Sequence, residues 1–436
     1  MKTVAAPPSK SVSHRALIAA SLAQGTSLVR NALESEDLER TAHCLRQLGA
    51  VIKEEGKGAY YVEGIESKGS TGAETVVLDV GESGTTCRLL AAVAAAVGGE
   101  YLLQGRGRMH ERPIGSLTRV LEQMGARIFW EADPGYPPLH ISSRGLFANR
   151  VEVDLEQSSQ YLSGLLLSAP FYAPVRIGVS GERAVSWPYV ALTLQVMQDF
   201  GASFSVRIRE GESWSEVPWS RVEEAVPGGI LFLVNPGQYA SRSYSVEGDW
   251  SNSSYFLAAG SLLRSGVRVT GLVPDSVQGD RRIVDILETM GVNLSTQSKG
   301  IESRPGHLRG ADLDMGSCPD LVPTVSVLAS LAEGNTRIRN VAHLRLKESD
   351  RLQAMAGQIR KTGAQVELFQ DGMAIEPSQE LRSGSMQFET HGDHRLAMSL
   401  SLYELAGIGV QLDQPGCVAK SFPDFWDKWK RIVEDD

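Results

Sequence analysis

Seven basic residues (Lys10, Arg15, Arg112, Lys347, Arg351, Arg395 and Lys420) each lie at the boundary of a recurring stretch of sequence, and two acids, Asp320 and Glu348, accompany them. Cations in that number suit a ligand that carries several negative charges. Acids left beside them suit proton transfer on the same ligand. These residue types point to general acid–base chemistry on phosphorylated substrates.

Their neighbourhoods sharpen this reading. SKSVSHR places Lys10, Ser11 and Arg15 on the first turns of a helix, with Ser9 able to act as N-cap. GESGTT, Gly81 to Thr86, is a Gly-rich turn entering a helix, and its backbone N–H groups around Gly84 can cradle phosphate. It is not a P-loop, because no Lys-Ser/Thr pair ends it. GRGRMHERPIGSL packs Arg106, Arg108, His110 and Arg112 into one segment, expected to be a flexible cationic loop that closes over an anion. Ser158, Ser159 and Gln160 open a further helix with more polar groups than a cap needs. In HLRLKESDR, Lys347 and Arg351 are expected on one helix face at i, i+4, where like charges repel unless an anion lies between them.

The elements that must position these residues are two phrases in alternation. The first is an apolar helix with a polar start, used six times: from Ser9, Gly81, Ser158, Asp249, Cys318 and Gly392. A helix apolar all round is buried, while its start offers unpaired N–H groups and the positive end of the macrodipole. The second is an amphipathic helix closed by Gly and followed by an alternating strand, around Gly49, Gly125, Gly201, Gly291 and Gly363, with a weak sixth copy near Gly409. A spacing of about 75 residues in the first half fits a βαβαββ block better than a solenoid unit. Three blocks precede the Pro/Gly/Ser-rich stretch that starts at Pro236, and three follow it. The expected fold is therefore α/β with two lobes. One lobe is 9–236; the other is 237–436 together with 1–8, and the helix starts are gathered in a cleft between them. A single six-unit ring fits less well, since the spacing breaks in the middle.

The remaining features exclude other classes. A net charge of −9 and the lack of any Lys/Arg run argue against nucleic acid as partner. No apolar run approaches the ~18–20 residues of a membrane span, and the start MKTVAAPPSKS has no secretory character, so a cytoplasmic protein is expected. Cys44, Cys87, Cys318 and Cys417 form no CxxC pair and read as reduced structural thiols. His391 and His394 have no third ligand nearby in sequence, so no metal site is expected.

Read together, SKSVSHRAL, GESGTT, ERPIG, SSQYLS, VEGDWSNSSYFLAA, CPDLVPT, VAHLRLKESDRL, GDHRLAM and AKSFPDFW resemble, in order and spacing, the 5-enolpyruvylshikimate-3-phosphate synthase family (3-phosphoshikimate 1-carboxyvinyltransferases). The resemblance covers Ser9 to Trp426. It implies a two-lobed inside-out α/β barrel, with three βαβαββ units per lobe, acting as a monomer without metal or organic cofactor. It implies that the 5-hydroxyl of shikimate 3-phosphate adds to C2 of phosphoenolpyruvate while C3 gains a proton. The tetrahedral intermediate then loses phosphate. By similarity Lys10, Ser11, Arg15, Ser158, Ser159, Ser186, Tyr189, Asp320, His343 and Lys347 hold the shikimate part. Lys10, Gly84, Arg112, Gln160, Arg351, Arg395 and Lys420 hold phosphoenolpyruvate. Asp320 is then the base on the hydroxyl, Glu348 the acid and base at C3, and Lys10 stabilises charge or shuttles a proton. The chain departs from the family at Glu82, where many members carry Asn, and at His343, where some carry Asn; its N-terminus is also short. The related UDP-N-acetylglucosamine enolpyruvyl transferases carry a Cys on the loop before the Arg-Pro pair, and Gly105 to Arg112 has none. A non-catalytic phosphometabolite-binding relative is expected to lose its acids first, yet Asp320 and Glu348 are both present.

Overall fold

The computed structural model describes residues 1–65, 74–172, 174–297, 300–380 and 382–434. Its contacts divide the chain into two compact units. One is Lys10–Val246; the other is Met1–Ser9 with Glu247–Asp436. The change of unit thus falls after Val246, within the Pro/Gly/Ser-rich stretch but ten residues beyond its start at Pro236. The reason is strand pairing. Tyr239–Ala240 pairs with Ala23–Gln24, and Ser243–Ser245 lies parallel to the Thr26–Arg30 strand with Ser243 opposite Leu28. Pro236 and Gly237 therefore precede two strands of the first unit rather than a linker.

One sheet plan recurs. Two parallel strands are followed by an antiparallel return, giving the order first–second–fourth–third in four of the blocks. Val76–Asp79, Gly99–Gln104, Leu139–Ser143 and Arg127–Trp130 show it in full. In two blocks the leading strand is borrowed from far along the chain. Ser243–Ser245 opens the sheet of the Lys10–Ser21 helix, and Lys2–Ala5 opens the sheet of the Trp250–Leu262 helix, parallel to Val267–Thr270. The third block adds an extra strand, Ser213–Val217. In the sixth, the sheet is only the parallel pair Gly384–Phe388 and Ile408–Leu412.

The six apolar helices are Lys10–Ser21, Gly84–Val97, Gln160–Ser168, Trp250–Leu262, Val322–Leu331 and His394–Leu400. Within each unit they form the interior, as an all-apolar surface requires. Small residues let them approach closely: a Cβ on Gly164 would lie 2.9 Å from the Arg88 carbonyl oxygen on the Gly84–Val97 helix. The amphipathic helices end as their sequences imply, with positive φ at Gly49, Gly125, Gly201, Gly291 and Gly363. The weak sixth copy is displaced by two residues. Gly407 is the left-handed residue there (φ 83°), while Gly409 lies within a strand.

Candidate active site

In the Lys10–Val246 unit the cationic set gathers at three helix starts. Lys10 opens its helix and pairs with Asp37, a buried acid in the first turn of the Glu36–Gln47 helix. Arg15 lies one turn further on, enclosed. Its Nε donates to Thr193 Oγ1 at 2.8 Å, its Nη1 to the Ser11 carbonyl at 2.8 Å and its Nη2 to the Tyr189 carbonyl at 3.0 Å. Every acceptor is neutral, and burial lowers its pKa to about 10. Arg15 thereby ties Ser11 to the helix that follows Ser186. Ser186 adopts φ 56°, a left-handed conformation that a non-glycine residue holds only when its surroundings enforce it. No feature of the sequence around VSWPY announces that strain.

The GESGTT turn caps the Gly84–Val97 helix through Ser83, whose hydroxyl accepts from the Thr86 N–H at 3.3 Å. Gly84 is required. A Cβ there would lie 2.3 Å from Arg112 Nη2. Gln160 begins its own helix, with Ser158 as the hydroxyl that caps it (Gln160 N to Ser158 Oγ 3.2 Å), while Ser159 makes no side-chain cap bond. Its amide Nε2 donates to Thr85 Oγ1 at 2.9 Å, joining the second and third helix starts.

The segment expected to be a flexible cationic loop contains a 3-10 turn, Gly107–Glu111. Arg106 N–H donates to the Gly81 carbonyl at 3.0 Å, and Arg108 is paired with Glu111 at 3.0 Å. Arg106 and His110 are exposed. Arg112 alone of this group is buried, and its Nη1 donates to the Glu82 carbonyl at 3.1 Å.

In the other unit Arg351 is the centre, 2% exposed. Its Nη1 donates to Asp320 Oδ1 (2.8 Å), its Nη2 to Glu348 Oε2 (2.8 Å) and its Nε to Asp393 Oδ2 (2.7 Å). Arg395 Nη2 donates to the second Asp320 oxygen, Oδ2, at 2.8 Å. The two acids expected to be left for proton transfer are thus each held by an arginine, and their orientation is fixed by it. Asp393, recognised from sequence only as a helix start, does more. It caps the His394–Leu400 helix, accepting from Arg395 N–H at 3.0 Å, and accepts from Ser349 Oγ at 3.0 Å.

Lys347 and Arg351 do not share a helix face. The Ala342–Leu346 turn, which carries the buried His343, ends at Lys347 with extended backbone, and Asp350 caps a new helix beginning at Arg351. The anions drawn to Arg351 are the protein's own carboxylates. Lys420 is buried at the end of the Pro415–Lys420 turn, which Asn252 Nδ2 fixes through the Ser421 carbonyl at 3.2 Å.

Sequence reading missed Asp280, a residue of VPDSVQGDRR that looks like surface charge. It is buried, accepts from Ser251 Oγ, and has its pKa pushed up to about 7, first by burial and then by the charge of Asp320. All four cysteines are unpaired thiols, and burial raises the pKa of each.

Helices in the interior of each unit, sheets with a repeated strand order, and an arginine–carboxylate cluster at helix starts define a class of repeat-built α/β proteins. Residues 1–218 and 220–429 match the EPSP synthase (3-phosphoshikimate 1-carboxyvinyltransferase) family, and the chain belongs to it. It is 40% identical over 432 residues to the 3-phosphoshikimate 1-carboxyvinyltransferase of Aeromonas salmonicida, covering 98% of this chain and 95% of that one. With the Nitrosomonas europaea protein of the same name it shares 41% identity at the same coverage. Among solved structures, the EPSP synthase of Acinetobacter baumannii superposes with a TM-score of 0.75 at 26% identity, covering 98% of this chain and 95% of that chain. The enolpyruvyl transferase NikO of Streptomyces tendae, at 17% identity and a TM-score of 0.68, shares the fold.

Proposed function

We propose that this chain transfers the enolpyruvyl group of phosphoenolpyruvate to the 5-hydroxyl of shikimate 3-phosphate and releases phosphate. The observation that carries this reading is Arg351, which holds Asp320 and Glu348 on one guanidinium. A base for a hydroxyl and an acid for a carbon are thereby presented at a fixed spacing, as addition followed by elimination requires.

Asp320 takes the proton of the 5-hydroxyl as its oxygen bonds to C2, and Glu348 delivers a proton to C3. In the second step Glu348 removes a proton from C3, the C2–C3 double bond re-forms, and the C2–O bond to phosphate breaks. Lys10, Arg112, Arg395 and Lys420, with Gly84 and Gln160, bind phosphoenolpyruvate; Arg351 has one Nη1 hydrogen left to contribute. Ser11, Arg15, Ser158, Ser159, Ser186, Tyr189, His343 and Lys347 bind shikimate 3-phosphate. Arg15 serves that role through the residues it ties together, because its guanidinium is enclosed by Thr193, Ser11 and Tyr189.

Among the described residues no helix is long and apolar enough to cross a membrane. A cytoplasmic monomer acting on two small anions fits the composition. The deciding experiment is incubation with both substrates and assay of released phosphate, with UDP-N-acetylglucosamine as control acceptor. Release only with shikimate 3-phosphate supports the reading. Release only with the nucleotide sugar, or with neither, refutes it.

A further inference from the structure

Arg88 lies one turn inside the Gly84–Val97 helix, 5% exposed, among residues otherwise apolar. A buried guanidinium ordinarily has a carboxylate partner. Every acceptor of Arg88 is neutral: Nε and Nη2 donate to the Pro113 carbonyl at 3.3 and 3.1 Å, and Nη1 donates to Gln160 Oε1 at 3.1 Å. The Tyr161 ring lies 5.8 Å from its guanidinium, and the Tyr161 hydroxyl donates to the same Pro113 carbonyl at 2.7 Å.

These bonds reach two of the residues assigned to phosphoenolpyruvate. Pro113 is the peptide partner of Arg112, so fixing its carbonyl fixes the backbone from which the Arg112 side chain leaves. Taking Oε1 of Gln160 decides which way that amide is turned and sends Nε2 toward Thr85. The two arginines also converge. A Cβ on Gly84 would lie 2.3 Å from Arg112 Nη2 and 2.8 Å from Arg88 Nη1, so both guanidinium groups occupy the side of Gly84 where a side chain would otherwise stand. Two like charges brought near one another in a buried setting favour a ligand anion beside them.

We propose that Arg88 is a positioning residue for phosphoenolpyruvate: its fork orients Arg112 and Gln160, and its charge adds to theirs without touching the ligand. This rests on the function proposed above.

The test is steady-state kinetics of Arg88→Gln and Arg88→Lys with both substrates. For Arg88→Gln the KM for phosphoenolpyruvate should rise about tenfold or more, while that for shikimate 3-phosphate stays within about twofold. Arg88→Lys, which restores charge but not the fork, should recover part of the loss. A purely structural role predicts that both KM values move together or that neither moves, and either result overturns the proposal. Should Arg88→Gln not fold, Arg88→Lys decides alone. A rise of about threefold confined to phosphoenolpyruvate supports the proposal, and any other pattern overturns it. If the wild type releases no phosphate, the functional reading has failed. Arg88 is then judged by calorimetric binding of inorganic phosphate: about tenfold weaker binding in Arg88→Gln supports it, whereas equal binding, or none in the wild type, overturns it.

Discussion

Arg351 Nη1 donates to Asp320 Oδ1 at 2.8 Å, and the arginine of this pair is almost wholly buried. Burial alone would lower the pKa of a guanidinium, but Asp393, Glu348 and Asp320 outweigh it and raise that of Arg351 above its ordinary value. The residue is thus a fixed cation that holds three acids in place. Arg351→Ala should abolish phosphoenolpyruvate binding and also destabilise its own unit by about 3–5 kcal/mol, because the buried acids lose their shared partner. Denaturant unfolding beside ligand titration checks both. Unchanged stability would show that the cluster does not depend on Arg351.

Arg112 should separate binding from stability. It donates to a backbone carbonyl of the GESGTT turn and packs over Gly84, where no Cβ intervenes. Arg112→Ala should weaken phosphoenolpyruvate by roughly 2–5 kcal/mol, the usual loss when one charged partner is removed from a desolvated site. Binding of shikimate 3-phosphate should be nearly untouched. Calorimetry decides the matter, and equal loss for both ligands refutes the assignment.

Much of this was legible in the chain because it rests on local rules. Gly at the end of each amphipathic helix and polar residues before each apolar one follow from backbone geometry and burial, so Gly125 and the GESGTT turn could be read directly. What escaped reading is non-local. Ser243–Ser245 and Lys2–Ala5 are too short to signal that they complete sheets more than two hundred residues away, and so the change of unit falls ten residues past Pro236. Arg88 and Asp280 were overlooked for a related reason. A charge inside an apolar run or a polar loop reveals its role only through partners brought in by the tertiary fold. Lys347 and Arg351 show the converse error, where helical spacing was assumed across a cap at Asp350.

Asp280 gives the pH dependence a definite sign. Its folded pKa, about 7, lies above the unfolded value, so between about pH 4 and pH 7 the native state binds the extra proton. Stability of the unit should therefore fall as pH rises through that window and level off above it, by at most on the order of 4 kcal/mol. Asp280→Asn cannot ionise and still accepts from Ser251. Its gain in melting temperature over the wild type should be large at pH 8 and small at pH 5. The same gain at both pH values would rule out titration of Asp280 as the source.

Glu348 offers the sharpest test of mechanism. Arg351 holds one of its oxygens at 2.8 Å, so an amide in its place can accept the same hydrogen bond and leave the cluster standing. What the amide cannot do is take up or deliver a proton. Glu348→Gln should bind both substrates as the wild type does, yet turn over roughly 10²–10⁴-fold more slowly, the range that a positioned acid–base group contributes. Asp320→Asn should slow turnover similarly and also lose some shikimate 3-phosphate affinity, since Asp320 meets the hydroxyl itself. Reversible protonation at C3 adds an isotopic readout. In deuterated water the wild type should place deuterium in the methylene of recovered phosphoenolpyruvate, and Glu348→Gln should do so far more slowly. Exchange at the wild-type rate in that variant would remove Glu348 from the proton-transfer role and make Lys10, held by Asp37 at the start of its helix, the next residue to test.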